Sequence, residues 1–357
     1  MKYVGIDLHK QTISVCVVNE AREVLARRRF RCAEPESIRA YFAQLGPFRF
    51  VVEATASYEW LFQLLEPLAE RGVLAHPKKM RVIAESFRKS DKLDAQVLAE
   101  FLADGRILAS YRPTPRQRDH RRLLRHRVTV QRRIGGIKCR IRNVLADHNA
   151  DIANLFTRQG LAYLASVSLS KAERFVVDGL VDEFTFQRGR LAAADRAIDD
   201  FAKTATERER EARLLLRSIP GVGRITAEVV LSELADPSRF RSQKAVVAYS
   251  GLSPGQRESG GKRHELHIEK EGSKQLRWIL VEAAWRLRRR STRWALIYEQ
   301  LRIKLHSKKK AIVAVARRLL CLMKAILDSG RPYDPCHPAT GSGNSRDVAG
   351  TAAASSS

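Results

Sequence analysis

Over the first hundred positions, apolar residues fall in short Val- and Ile-rich runs; later they recur every three or four residues over long stretches. The runs at 2–7 and 12–18 have the alternation and β-branched content of strands. Asn19-Glu-Ala-Arg22 has the composition of a turn, and 23–31 can return as a third strand. A helical pattern follows at 35–45, a strand at 48–53 and a helix at 57–71, led by Ser57 as its cap. Val73-Leu-Ala-His76 reads as a short strand stopped by Pro77, and 78–87 and 91–104 read as helices. Three strands in a row, then alternating helix and strand, predict an α/β unit: a mixed sheet covered by helices.

Pro113 and Pro115 mark a boundary, after which 118–150 and 171–215 predict two long helices, a coiled-coil arm with an irregular link between them. From Arg112 to Arg142 there are eleven arginines and one lysine against a single acid, Asp119. A solvated helix face is the ordinary outcome of a charge run, but an imbalance this one-sided calls for an outside counter-charge. A third, mostly helical region begins at Ser218-Ile-Pro-Gly221-Val-Gly223 and runs to about 329; the Pro-, Gly-, Ser- and Ala-rich tail from Arg331 predicts disorder. The divisions are therefore 1–111, 112–215, 216–330 and 331–357, an α/β unit followed by an α-rich remainder, and the first unit has the element order of the RNase H fold.

The whole chain of 357 residues carries 65 Lys and Arg against 39 Asp and Glu, a net charge of +26 that points to a polyanionic partner. No run approaches the roughly 18 apolar residues of a spanning helix, which disfavours a membrane, and the strand pattern starts too early for a signal peptide. Cys16, Cys32, Cys139, Cys321 and Cys336 are scattered, as in a reducing cytoplasm rather than a disulfide framework or zinc knuckle. His264 and His267 lack partners at metal-ligand spacing.

Four acids stand out. Asp7 ends one apolar run and Glu53 another, and Asp91 and Asp94 lie one helical turn apart in Lys89-Ser-Asp91-Lys-Leu-Asp94-Ala. Singly, each fits a cap or a turn; together, on that order of elements, they suit a shared divalent ion, Mg²⁺ or Mn²⁺, since clustered carboxylates repel without a cation. Two such ions about 4 Å apart can clamp a phosphodiester. His9 and Lys10 follow Asp7 and either hold a phosphate or border the strand.

Gly221 and Gly223, followed by Thr226-Ala-Glu-Val-Val, resemble the turn of a helix-hairpin-helix, which can hold a DNA phosphate; the alternative is a glycine-capped helix junction. Ser259 precedes two glycines and the cations Lys262 and Arg263 in what reads as a loop, where a serine alkoxide would be favoured; the alternative is an ordinary surface loop. Ser250 and Ser253 are lesser nucleophile candidates. Lys270 and Arg277 add a basic loop and helix start, and ten further cations lie between Arg286 and Lys310 against Glu299 alone.

Taken in order, Gly5-Ile-Asp7-Leu-His9, Val52-Glu53-Ala-Thr55, Lys89-Ser-Asp91-Lys-Leu-Asp94-Ala, Ile219-Pro-Gly-Val-Gly223, Gly251-Leu-Ser-Pro254, Ser259-Gly-Gly-Lys262 and Lys270-Glu-Gly272 are specific as a set. Over residues 1 to about 328 the chain resembles the bacterial insertion-sequence transposases with a RuvC-like N-terminal domain and a serine-bearing C-terminal domain, related to the Piv pilin-gene invertases. The resemblance implies Asp7, Glu53, Asp91 and Asp94 as a metal-binding tetrad and Ser259 as the nucleophile forming a phosphoserine link to DNA. It also implies a coiled-coil linker, dimers pairing into tetramers, and in some members a structured guide RNA bridging target and donor DNA. Arg257-Glu258 departs from the more polar run expected before the serine. On this reading Lys262, Arg263 and Arg277 contact phosphate, and Arg121, Arg122, Arg125, Arg132 and Arg133 line a nucleic-acid surface. A RuvC-like junction nuclease using water, and a non-catalytic nucleic-acid-binding protein, are the alternatives.

Overall fold

The structure, a computed structural model, describes residues 1–54, 57–77, 80, 95–259, 262–270 and 272–336, with backbone alone for 256–259 and 262–266. The chain divides into two compact units, Met1–Arg112 and Pro113–Ser357.

In the first unit, β1 (Lys2–Leu8), β2 (Thr12–Val18), β3 (Val24–Arg31), β4 (Phe48–Glu53) and β5 (Arg71–Ala75) form one sheet in the order β3-β2-β1-β4-β5. The first three strands pair antiparallel, whereas β4 lies parallel to β1 and β5 parallel to β4. Crossing from β3 to β4 and from β4 to β5 requires helices, and α1 (Pro35–Ala43) and α2 (Glu59–Leu65) supply them. Their buried Ile38, Phe42, Leu61, Phe62 and Leu65 pack with Val4, Ile6, Phe48 and Phe50 on one side of the sheet. Helix α2 is shorter than its apolar pattern predicts, and its N-cap is Tyr58 rather than Ser57. It stops where the Arg112 guanidinium, held by Glu59 and Glu66, closes over the Phe62 ring.

Helix α3 (Ala95–Ala103) covers the other face, where Ala95 and Ala99 join Cys16 and Val18 in a small core. The helix predicted at 78–87 and the first residues of the one predicted at 91–104 fall outside the described residues, apart from the buried Met80.

The second unit opens with α4 (Pro115–Asp147), whose start is fixed by a reciprocal cap: the Gln117 amide donates to the Thr114 hydroxyl, and the Thr114 amide to the Gln117 side chain. A short α5 (Arg158–Ser166) occupies the link expected to be irregular. The long helix predicted over 171–215 is two helices, α6 (Lys171–Lys203) and α7 (Glu207–Arg217). The break falls where Thr206 turns its hydroxyl to the Glu209 amide, a cap that propensity did not reveal. Ion pairs of Arg140 with Glu183 and Arg127 with Asp195 show that α4 and α6 run antiparallel, over a seam including Ile137, Ile141, Val177 and Phe184.

The remainder consists of α8 (Arg224–Leu234), α9 (Gln243–Ser250), the hairpin β6 (Pro254–Ser259) and β7 (Lys262–Ile268), then α10 (Lys274–Arg290), α11 (Thr292–Leu305) and α12 (Lys308–Ser329). Its core is built on the apolar faces of α8, α10 and α12. The expected disorder of the tail concerns 337–357, which lie outside the described residues.

Candidate active site

Strands β1 and β4 are parallel and in register at Ile6 and Val52, so Asp7 and Glu53, each the next residue, lie side by side at the same end of the sheet. Both carboxylates are half-buried. The His9 imidazole Nε2 stands 3.2 Å from Asp7 Oδ2, giving the acid a partner that is cationic only when protonated. Gly5 and Asp7 share a face of β1, because side chains alternate along a strand. On that face the Ala95 carbonyl would lie 1.9 Å from a Cβ added at Gly5. At the opposite end of the sheet, Asp104, just beyond α3, pairs with Arg22 of the β2–β3 turn at 3.6 Å. The Ala95 end of α3 therefore faces the Asp7 end of the sheet. Asp91 and Asp94 lie outside the described residues, and among the described residues no three metal-ligating side chains form a cluster. Two oxygen-donor carboxylates at one strand edge suit a hard divalent cation.

In the second unit the serine-bearing segment is not a loop. Residues 254–259 and 262–268 pair antiparallel, with Ser259 opposite Lys262 at the tip. Sequence reasoning missed this hairpin because its strands, Pro254–Ser259 and Lys262–Ile268, hold few apolar residues. The segment is anchored from below. Gly272, with φ near +92°, passes so close to the Tyr249 carbonyl that a Cβ there would come within 2.0 Å, and Lys270 donates its amide to the Gly251 carbonyl while its side chain stays exposed. Ser250, fully buried, donates its hydroxyl to the Val247 carbonyl and accepts from the Leu252 amide. Arg277, expected on phosphate, instead donates to the carbonyls of Ser250 and Gly272, and burial pushes its guanidinium below its ordinary value.

The glycine turn also divides. Gly221 is buried with φ near +85°, and a Cβ on it would come within 2.7 Å of the Leu287 amide nitrogen. Its role is close packing on α10. Gly223, at the N-cap of α8, is exposed.

The arginine run is largely answered from within. Arg121 donates to the Ser232 and Glu233 carbonyls and lies 3.8 Å from the Glu233 carboxylate, with only 11% of its side chain exposed. Arg116 pairs with Glu209, Arg127 with Asp195 and Arg142 with Asp151. The carboxylates absent from 112–142 are thus supplied by later segments. Arg122 and Arg125 stay mostly exposed beside Asp119 and Glu233, whereas Arg132 and Arg133 are exposed and meet no carboxylate among the described residues.

Deeper in, His120 Nε2 lies 2.8 Å from Glu228 Oε2, and Arg213 donates to the same carboxylate. Burial pushes the Glu228 pKa up, but hydrogen bonds from His120 and Arg213 outweigh it and hold the carboxyl below its ordinary value. Neither this network nor the half-buried Arg317 was expected; a cation inside the apolar stretch 311–323 was the available signal for the latter.

A family model described as Transposase IS116/IS110/IS902 family matches residues 213–299, and a transposase model of the IS110 DEDD type matches residues 4–149. The chain thus carries two domains of IS116/IS110/IS902-type transposases, consistent with that family. A transposase for insertion sequence element IS1111A from Coxiella burnetii is 26% identical over 343 residues, spanning 93% of this chain and 91% of the relative. A probable family 20 transposase from Pseudomonas aeruginosa is 25% identical, over 79% of this chain and 82% of that protein. A pilin gene-inverting protein from Moraxella bovis is 33% identical over a shorter stretch, 34% of this chain and 38% of its own. These domains support a transposase or recombinase with DNA as partner, and the DEDD-type domain points to divalent-metal use. Among the described residues no helix is long and apolar enough to cross a membrane.

Proposed function

We propose that the protein cuts and exchanges DNA strands through a serine–DNA phosphoester, with Asp7, Glu53, Asp91 and Asp94 as its divalent-metal ligands and Ser259 as its nucleophile. The observation that carries this reading is the pairing of Asp7 and Glu53 at one end of adjacent parallel strands, on a sheet whose order fits a RuvC-like, RNase H-type unit. Helix α3, described from Ala95 onward, lies over Gly5, on the face of β1 that also bears Asp7.

Mg²⁺, or Mn²⁺ in its place, would neutralise the phosphate and stabilise charge on the entering and leaving oxygens. Asp7 and Glu53, at the strand ends, would hold that ion with Asp91 and Asp94, while His9 sets the orientation of Asp7. The Ser259 hydroxyl loses its proton and its oxygen bonds to phosphorus; the phosphorus–deoxyribose oxygen bond breaks and the released hydroxyl takes up a proton. Because the serine ester conserves the phosphodiester's energy, rejoining to another strand needs no nucleotide cofactor. Lys262 and Arg263, at the strand start beside the tip, are the phosphate contacts of this reading, with Lys270 below. The exposed Arg122, Arg125, Arg132 and Arg133 on α4, with Gly223, offer backbone contacts to DNA or to a structured guide RNA. Pairing of dimers into tetramers is part of the same proposal, with α4 and α6 as the coiled-coil linker.

The test uses the purified full chain with Mg²⁺, its element's end DNA and RNA transcribed from the element's flank. A covalent protein–DNA adduct should form, vanish in Ser259→Ala, and fail in Asp7→Asn. Cutting that survives Ser259→Ala without an adduct would instead identify a water-using nuclease.

A further inference from the structure

A groove of about 1020 Å³ opens in the second unit between α9, α11 and α12, where Ser253 and Pro254 lead into β6. Its floor is apolar, with Val247, Ile297, Leu301 and Leu322. Trp294 stands at one wall, its indole N–H donated to the Tyr333 hydroxyl at 3.2 Å. Four cations line the groove, Lys244, Arg293, Arg317 and Arg318, and among the described residues no carboxylate does.

Arg317 is the informative member. It emerges from α12 between the fully buried Ala316 and Leu319. Burial pushes its guanidinium below its ordinary value, and the neighbouring Arg318 adds repulsion. Elsewhere in this unit, sunken arginines meet an acceptor: Arg121 meets Glu233, Arg127 meets Asp195, Arg213 meets Glu228, and Arg277 meets the Ser250 and Gly272 carbonyls. Arg317 meets none among the described residues. Desolvating a cation without a counter-charge is costly, so such a residue is kept in place more readily by an anion that arrives from outside.

The floor then narrows the choice of anion. Duplex DNA turns its phosphates outward and hides its base faces, which would leave Ile297 and Leu301 facing water. An unpaired strand presents phosphates and apolar base faces together. The groove also runs into β6, and Ser259 lies five residues beyond Pro254, about 17 Å along an extended strand.

We propose that this groove binds an unpaired nucleic-acid strand, phosphates on Arg317 and Arg318 and base faces on the Ile297–Leu301 floor, beside the hairpin that carries Ser259. The proposal rests on the nucleic-acid reading above but not on the serine chemistry.

Cys321 lines the same groove and reports on it. In the full chain, a short oligothymidylate should slow alkylation of Cys321 several-fold, leave the exposed Cys139 of α4 unaffected, and outdo a duplex of equal length. Arg317→Gln should weaken binding of the oligothymidylate about tenfold, as loss of a phosphate contact does, with duplex affinity nearly unchanged. Because Arg317 is half-buried, the exposed Lys244→Glu provides a second variant whose fold is not at stake, and it should weaken single-strand binding in the same selective way. Unchanged Cys321 labelling, equal losses for duplex and single strand, or protection by polyglutamate as strong as by the oligonucleotide would each overturn the proposal, the last in favour of an acidic protein partner. Adduct formation is measured separately, so an unprotected groove with an intact serine adduct removes this inference alone.

Discussion

The Ala95 carbonyl oxygen occupies the space that a Cβ on Gly5 would need, 1.9 Å from where that atom would stand. Backbone lies against backbone there, on the face of β1 that carries Asp7.

Gly5→Ala should therefore push α3 off the sheet rather than be absorbed by a side-chain rotation. Overpacking of this kind costs about 1–3 kcal/mol. A lowered thermal midpoint together with lost metal-dependent cutting is expected, and a variant with wild-type cutting would show that the α3 position is irrelevant to the acids.

Two groups of arginines on α4 should separate in experiment. Arg121→Ala removes one of the two arginines beside the Glu233 carboxylate, 3% exposed, together with hydrogen bonds to two backbone carbonyls, and should cost about 1–3 kcal/mol of stability. Arg132→Gln with Arg133→Gln should leave the thermal midpoint within the scatter of repeats. The double variant should instead bind nucleic acid more weakly and flatten the slope of log affinity against log salt by about 1–2. An unchanged slope would remove these two residues from the nucleic-acid surface.

Glu228 gives the second unit an acid limit. Its pKa is lower folded than unfolded, so its stabilisation is in full force above the ordinary glutamate value of about 4.3 and is lost as pH falls through the depressed folded value. Thermal midpoints measured from neutral pH downward should fall more steeply for the wild type than for Glu228→Gln, which should already be less stable at neutral pH. Parallel curves for the two proteins would mean that His120 and Arg213 do not hold the charge.

Ser250→Ala should cost about 1 kcal/mol through its two hydrogen bonds and leave any covalent DNA adduct intact. Loss of the adduct with stability unchanged would keep Ser250 in candidacy.

The sheet was legible because Val- and Ile-rich runs alternate and end in identifiable turns, and because Asp7 and Glu53 close two such runs. Their adjacency follows from the parallel pairing of β1 with β4. The arm was misread in its energetics: Arg127 finds Asp195, and Arg116 finds Glu209, across intervals that local charge counting does not span. Arg277 and Gly221 looked like ligand contacts because a cation and a glycine suit phosphate. They suit a backbone carbonyl and a close helix crossing equally well, and only tertiary packing decides between the two uses.

The antiparallel helices α4 and α6 are each 33 residues long, a rod of about 50 Å at helical rise. Tilted about its base, such a rod would act as a lever. A tilt of about 10° at the end near Arg116 and Glu209 would carry the far end, near His148 and Glu173, through about 9 Å. Whatever grips that far end gains leverage over the base without touching it.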